Sequence, residues 1–347
     1  MDTRFKKIIL KDSVLYFLLF LVVFSTLSII EPRAFLSKFN LQSMAFQVPE
    51  FGILALAMMI TIITGGIDLS IVANANLSAI FASLAMVQYL KVAGDSPSSA
   101  VIIIIIAFVC MISGLVMGIF NGLLISRLRI PAILATLGSM KLFDGISTVI
   151  TGGQPLRNYP SVVAKIANEA YLGVPISFFI FVFIAFLMWV LMGRTKLGYT
   201  IYMYGENPLA SSFSGLDNKK TLLKTHLISG LLAGLGGLIM MSRFNSIKVG
   251  YGNSYQLLTV LVAIMGGVHP TGGKGKILCV VFSVLTLQCI ASGFNILGFT
   301  NYVRNIIYGA VLILVMVINF LYPIVKNNIE FKKRKRLMSI SDTQFAS

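Results

Sequence analysis

Residues 100–124 read AVIIIIIAFVCMISGLVMGIFNGLL, twenty-five positions without one charge. As an α-helix they rise about 37 Å at roughly 1.5 Å per residue, more than the ~30 Å of hydrocarbon in a bilayer. Apolarity that runs on without period-2 alternation excludes the strand of a membrane barrel. The segment therefore reads as a transmembrane helix, and nine others share its character: 13–30, 47–64, 71–90, 131–150, 174–192, 222–242, 254–268, 276–293 and 302–324. Span 71–90 is unusual in carrying Asn74 and Asn76, and span 254–268 is short. The expected fold class is all-α, a polytopic membrane protein of about ten transmembrane helices in one domain over 1–347.

The whole chain agrees. Of its 347 residues 57% are hydrophobic and 12% charged, with a mean hydropathy of +0.89. Soluble domains carry about a quarter charged residues, so a soluble enzyme, a nucleic-acid-binding module and a disordered scaffold are excluded. The net charge of +16 comes from basic residues lying mostly between apolar blocks, where they set orientation. Segments on the side of the termini hold 19 of them, among them Arg127, Arg129, Arg194, Lys196, Lys274 and Lys276. The opposite side holds 8, and Lys141 falls inside a span. That asymmetry places both termini in the cytoplasm of a multi-pass protein of the cell membrane. The first span leads into Glu31-Pro32-Arg33 with no small-x-small cleavage site, so it reads as retained. Residues 326–347 form a basic cytoplasmic tail whose Lys332 to Arg336 run reads as a stop-transfer anchor, contact with anionic lipid being the alternative.

Sites of chemistry are sparse. Cys110, Cys279 and Cys289 lie in apolar runs without CxxC spacing, which offers neither a disulfide framework nor a metal site. His269 has no neighbouring ligand to share a metal. No GxxxxGK[ST] loop is present, so this chain is not expected to hydrolyse ATP or to hold a cofactor. No catalytic residues are expected. Lys141 and Asp144, three apart, are expected to neutralise each other on one helix face.

Four segments carry information instead. In Thr64-Gly65-Gly66-Ile67-Asp68-Leu69-Ser70 the glycine pair ends one helix and permits close backbone approach. Asp68-Leu69-Ser70 then resembles the cap of the next helix, whose first turns carry Asn74, Asn76 and Ser78. Broken helices flanked by polar residues are how many transporters meet their substrates. Gly65, Gly66, Asp68, Asn74 and Asn76 are therefore the substrate-pathway candidates. The plainer alternatives are a capping aspartate and interhelical hydrogen bonds. Asn74 and Asn76 stand about 200° apart on a helix, so at most one faces a pathway.

The cytoplasmic loop 193–221 contains Gly205-Glu206-Asn207-Pro208-Leu209-Ala210, then Gly215. Asn207 is a good cap, Pro208 suits a first turn, and Gly215 stops the helix after about two turns. So short a helix is unstable alone in water and must lie against the membrane surface or a partner protein. Residues 265–275, with five glycines and Pro270, make a tight cytoplasmic re-entry turn.

Taken in order, these segments resemble the membrane subunit of a bacterial ABC importer of the ribose/xylose/galactose type, a permease family that includes autoinducer-2 permeases. The matching residues are Gly65 to Ser70; Asn121-Gly122 before Arg129-Ile130-Pro131; Thr136-Leu137-Gly138; Thr151-Gly152-Gly153; Arg194 to Gly198; the helix with Ala210 and Gly215; and Gly266-Gly267 followed by Gly272 to Gly275. They run collinearly over about residues 45 to 320. The resemblance implies cytoplasmic ATPase subunits that bind the ATP, an extracellular or periplasmic solute-binding protein, and a second permease chain, identical or paralogous. It implies that Gly205, Glu206, Asn207, Pro208, Ala210 and Gly215 couple this chain to the ATPase. The sugar permeases usually continue Val-Gly-Ser where Ile71 to Asn74 stand, and often have Glu-Ala-Ala where Pro208-Leu209-Ala210 stand. Nucleoside permeases share a similar Gly-Glu-Asn-Pro loop, so a monosaccharide is the first substrate expectation, with a nucleoside or autoinducer-2 as alternatives. A self-contained secondary transporter would need ion-coupling carboxylates, for which only Asp68 and Asp144 are candidates. A membrane-embedded enzyme is the poorest fit, since His226 and His269 are well separated and no acid cluster accompanies them.

Overall fold

The computed structural model describes residues 3–94, 98–171, 173–300, 302–314 and 316–317, with the backbone alone for 3–12. Eight helices among the described residues are long and apolar enough to cross a membrane. They are α1 (Thr3–Ile30, apolar from Ser13), α3 (Lys38–Ile63), α4 (Ile71–Ala93), α5 (Ser99–Ser126), α6 (Ala132–Thr151), α8 (Ile176–Arg194), α11 (Asn218–Phe244) and α13 (Ile277–Ile296). The two shorter apolar helices are α12 (Asn253–Met265) and α14 (Tyr302–Leu314). The remaining helices are α2 (Pro32–Phe35), α7 (Ser161–Asn168), α9 (Lys196–Glu206) and α10 (Pro208–Phe213).

The core is built around α3, every residue of which from Val48 to Ile63 is buried. A helix apolar on all sides belongs at the centre of a bundle, and α8, α11, α12 and α13 close round it. The helix begins nine residues before the expected start of its span, because Ser37 caps it by accepting from the Asn40 amide at 3.2 Å. The Asn74–Asn76 span is unbroken as α4, and α12 is the short one at 13 residues. Of the expected span 302–324 the first part is helical, while the basic tail 326–347 lies outside the described residues.

The tightest helix pair is α5 with α11, and glycine makes it so. Gly114 and Gly118 face Gly230 and Gly234, and a Cβ on any of the four would overlap the partner's backbone carbonyl. Small residues four apart let membrane helices approach to backbone contact. Gly237, one turn on, sits against the Ala75 carbonyl and seats α4 in the same joint.

Loops gather on two sides. On one, β1 (Leu156–Arg157) pairs antiparallel with β4 (Ser246–Ile247), and β2 (Ala170–Tyr171) with β3 (Val174–Pro175). The amphipathic α7 lies between them, with Val163 and Ala167 inward and the Ala167 amide bonded to Ser242 Oγ at 2.8 Å. The other side collects 64–70, 127–131, 195–217 and 266–276. One expectation fails here: no ion pair within 4.0 Å joins Lys141 and Asp144. The two project from neighbouring but different lines of α6, Lys141 exposed and Asp144 half-buried.

Replacing Gly230 by leucine should therefore cost about 3 kcal/mol through overpacking, while Gly193→Ala, whose Cβ meets nothing within 4 Å, stays within about 0.5 kcal/mol. Thermal melting of the detergent-solubilised protein checks this. Equal melting temperatures for the two variants would contradict the packing.

Candidate functional site

Three glycine segments meet at the end of α3. Gly65, at φ +77°, turns the chain out of the helix, its amide bonded to the Ile62 carbonyl at 2.8 Å. The Ile63 carbonyl would be orphaned there, as helix ends leave their last acceptors open. It accepts instead from the Gly273 amide at 2.8 Å. Gly205, the penultimate residue of α9, lies against both, and a Cβ on it would overlap the Ile63 carbonyl. Gly272 and Gly273 hold φ values of +96° and +76°, which glycine adopts without strain. Tyr202 fastens α9 to the same loop by donating to the Gly275 carbonyl at 2.7 Å.

From this knot α10 projects. Asn207 Oδ1 caps it by accepting from the amides of Leu209 and Ala210, both at 3.0 Å. Asn218, opening α11, donates to the Pro208 carbonyl at 2.7 Å and accepts from the buried Ser211 hydroxyl at 2.8 Å. Gly215 ends the excursion at φ +77°. Asp217 then caps α11, and the Lys220 amide and ammonium bonded to it hold its carboxyl below the usual range. The two apolar side chains on the outer face are left bare, Leu209 at 71% and Phe213 at 89% exposure.

Two clefts flank α10 on this side. The larger, about 630 Å³, lies between Gly65-Gly66, the Arg129–Ala132 turn, Ser212 and His226. The smaller, about 460 Å³, lies between Gly65, Glu206, His269 and Lys274. His269 contacts Thr271 Oγ1 at 2.7 Å within its own loop. No group of three metal-ligating side chains occurs among the described residues.

Behind the larger cleft, Asp68 is buried. Its Oδ1 accepts from the Ser70 amide at 3.0 Å and the Ser70 hydroxyl at 2.6 Å, an Asx turn rather than a cap. Asn121 of α5 donates to that hydroxyl at 2.7 Å, and Ser229 of α11 to Asp68 Oδ2 at 3.4 Å. His226 Nδ1 stands 3.6 Å from the same Oδ2, a charge contact when the imidazole is protonated. The turn is also pinned by Thr136, which accepts from the Leu69 amide at 3.1 Å, and by Gln256, which donates to the Leu69 carbonyl at 2.9 Å. A break in α3–α4 is thus held by α5, α6, α11 and α12.

Residues 40–316 match the family model described as the branched-chain amino acid transport system / permease component. The chain belongs to this permease family. Among its relatives is the ribose import permease protein RbsC of Bacillus subtilis (strain 168), 31% identical over 294 residues, which are 84% of this chain and 88% of that one. Another is the autoinducer 2 import system permease protein LsrD of Yersinia enterocolitica, 28% identical over 287 residues, covering 80% of this chain and 83% of the relative. LsrD of Yersinia pseudotuberculosis is 27% identical over the same length. No solved structure matches. The permease is a multi-pass membrane protein of a transport family, which is not an enzyme class.

Of the residues singled out in the sequence, Gly65 and Gly66 line the larger cleft of the permease, and Gly205 to Gly215 form one continuous feature beside it. Asn74 and Asn76 sit elsewhere. Asn74 donates to the Gly114 carbonyl at 3.2 Å and accepts from Ser78 at 3.0 Å, while Asn76 donates to the Tyr251 carbonyl at 3.0 Å. Both are buried and neither lines a cleft described above.

Two partnerships escaped the sequence. His226 is not remote from an acid, since Asp68 is its neighbour. Glu50, fully buried in α3, pairs with Arg243 and accepts from the Tyr255 hydroxyl, tying α3, α11 and α12 near the opposite side. A carboxylate inside an apolar span was the available signal, because such a group demands a partner.

Gly205→Ala should unseat the knot at a cost of about 3 kcal/mol, whereas Gly215→Ala, with open space around its Cβ, costs about 1 kcal/mol of backbone strain. Chemical unfolding monitored by fluorescence of the sole tryptophan, Trp189, separates the two. Equal losses would deny the close approach at Gly205.

Proposed function

We propose that the chain is the pathway subunit of an ABC importer that brings a small polar solute, a monosaccharide, into the cell. Both termini lie in the cytoplasm, and the partners are two cytoplasmic ATPase subunits, a solute-binding protein outside and a second permease chain. ATP is bound by the ATPase, and this chain carries no cofactor. The observation that carries the reading is α10. It is a helix of about two turns with Leu209 and Phe213 bare, seated on a backbone knot. A rigid mount with an apolar tip suits a groove in a moving partner, and an aromatic anchor in such a groove is worth about 2 kcal/mol or more.

The solute class rests on the relatives, whose names specify ribose and autoinducer 2. Ribose is small, neutral and rich in hydroxyls. The 630 Å³ cleft lined by Thr64, Ser126 and Ser212 is large enough for such a molecule on the way out of the membrane. A nucleoside remains the second reading, and competition of labelled ribose uptake by unlabelled nucleoside distinguishes it.

In vesicles holding the permease with its ATPase and binding protein, ATP should drive ribose uptake. Phe213→Asp and Leu209→Asp should each lower uptake about 30-fold, the factor that 2 kcal/mol represents, with protein level and melting temperature unchanged. Normal uptake in both variants would remove the coupling role of α10. Uptake by the permease alone under an ion gradient would instead show a secondary transporter.

A further inference from the structure

Gly236, Met240 and Arg243 stand at i, i+4 and i+7 of α11, so they share one line along the helix. That line packs on α3. A Cβ on Gly236 would overlap the Leu54 side chain, and Arg243 pairs with Glu50, one turn from Leu54. Met240, between them, is fully buried. The two ends of α11 are fastened by different means. Towards α10, Gly230, Gly234 and Gly237 hold the helix against α5 and α4 at backbone distance. At Arg243 the fastening is a charge pair, with Tyr255 of α12 donating to the second Glu50 oxygen. Pro49, directly before Glu50, has no N–H to offer the Ala45 carbonyl, which weakens α3 at this level.

A buried charge pair is a poor permanent fastening and a good temporary one. Its members give up their hydration, so apolar side chains of like volume hold a buried contact as well or better. On separation the order reverses, because charges regain their hydration whereas apolar groups are left facing water. Glu50 is fully buried, but the Arg243 side chain is already 21% exposed. Arg243 is also tied to the surface by its backbone. Asn168 of α7 donates to the Ser242 and Arg243 carbonyls, both at 3.2 Å. The Ser242 hydroxyl donates to the Val163 carbonyl at 2.6 Å and accepts from the Ala167 amide at 2.8 Å. These bonds make α7 and the end of α11 one body.

We propose that Glu50 and Arg243 form a latch, closed in this form, which parts in each transport cycle as the end of α11 swings with α7 about its glycine-packed stretch and admits water between α11 and α3. Tyr255 keeps one Glu50 oxygen paired while the latch is open. The inference rests on the preceding reading only in taking the chain to carry a solute across the membrane.

Vesicles holding the permease with its ATPase and binding protein are assayed for uptake of labelled ribose. Glu50→Met combined with Arg243→Met exchanges the charges for apolar side chains. The double variant should keep the wild-type melting temperature and lose uptake by tenfold or more. A pair that only braces the fold would leave uptake at the wild-type level. A second measurement keeps both charges, and so stands even where the double variant fails to fold. In a chain with Cys110, Cys279 and Cys289 replaced, Met240→Cys places a thiol beside the latch. A hydrophilic maleimide present on both sides of the membrane should modify it tenfold or more faster during turnover than in resting vesicles. The proposal is overturned by wild-type uptake in the double variant, or by modification that does not rise with turnover. ATP-driven uptake without that rise would sink the latch and leave the importer reading standing. Uptake driven by an ion gradient instead of ATP, with the rise, would do the reverse.

Discussion

One carbonyl oxygen organises the α10 side of the permease. Ile63 ends the most buried helix of the molecule, where its carbonyl has neither a helical partner nor bulk water. A buried acceptor left unpaired costs a substantial fraction of a protein's stability. The Gly273 amide satisfies it, and that bond is possible only because Gly205 and Gly272 carry no side chain between the strands of backbone. The core helix, the α9–α10 excursion and the 266–276 loop therefore share a contact with no flexible side chain in it.

Rigidity at that point matters to α10. The helix that leaves Leu209 and Phe213 bare is about two turns long and would not persist alone. Its stability is borrowed from the knot beneath it and from Asn218 and Ser211 beside it. Directly behind lies the 64–70 turn with Asp68, joined to α5 through Asn121 and to α11 through Ser229 and His226. A push on α10 thus reaches backbone at the mouth of the larger cleft through hydrogen bonds rather than through a flexible loop. The far side is fastened separately, by Glu50 with Arg243 and Tyr255 and by the β1–β4 pair. Two fastened ends thus flank the glycine-packed α5–α11 joint.

Much of this was legible because it is local. Continuous apolarity marked the spans, Gly65 and Gly66 marked the end of α3, and Asn207-Pro208 with Gly215 bounded α10 closely. What was not legible depends on residues far apart in sequence. Nothing in the chain order says that His226 meets Asp68, or that Gly114 and Gly118 meet Gly230 and Gly234. Glu50 was passed over because a single acid barely lowers the hydropathy of an apolar window. Lys141 and Asp144 misled in the opposite sense: three-residue spacing brings two side chains near each other, but orientation decides whether they touch. Asn74 and Asn76 point apart as helix geometry requires, and which neighbours they meet is set by how α5 and the segment before α12 pack.

The central claim is that the knot moves as one body. With the three native cysteines replaced, spin labels at Ser214 and His269 of one chain report the distance across it by electron double resonance. In the assembled transporter of the proposed function that distance should be unchanged, within the width of its own distribution, between the nucleotide-free and ATP-bound states. The distance between Ser214 labels on the two permease chains should change by several ångströms over the same step. A shift of the Ser214–His269 distance as large as the one between chains would show that α10 swings on its own, and would contradict the account.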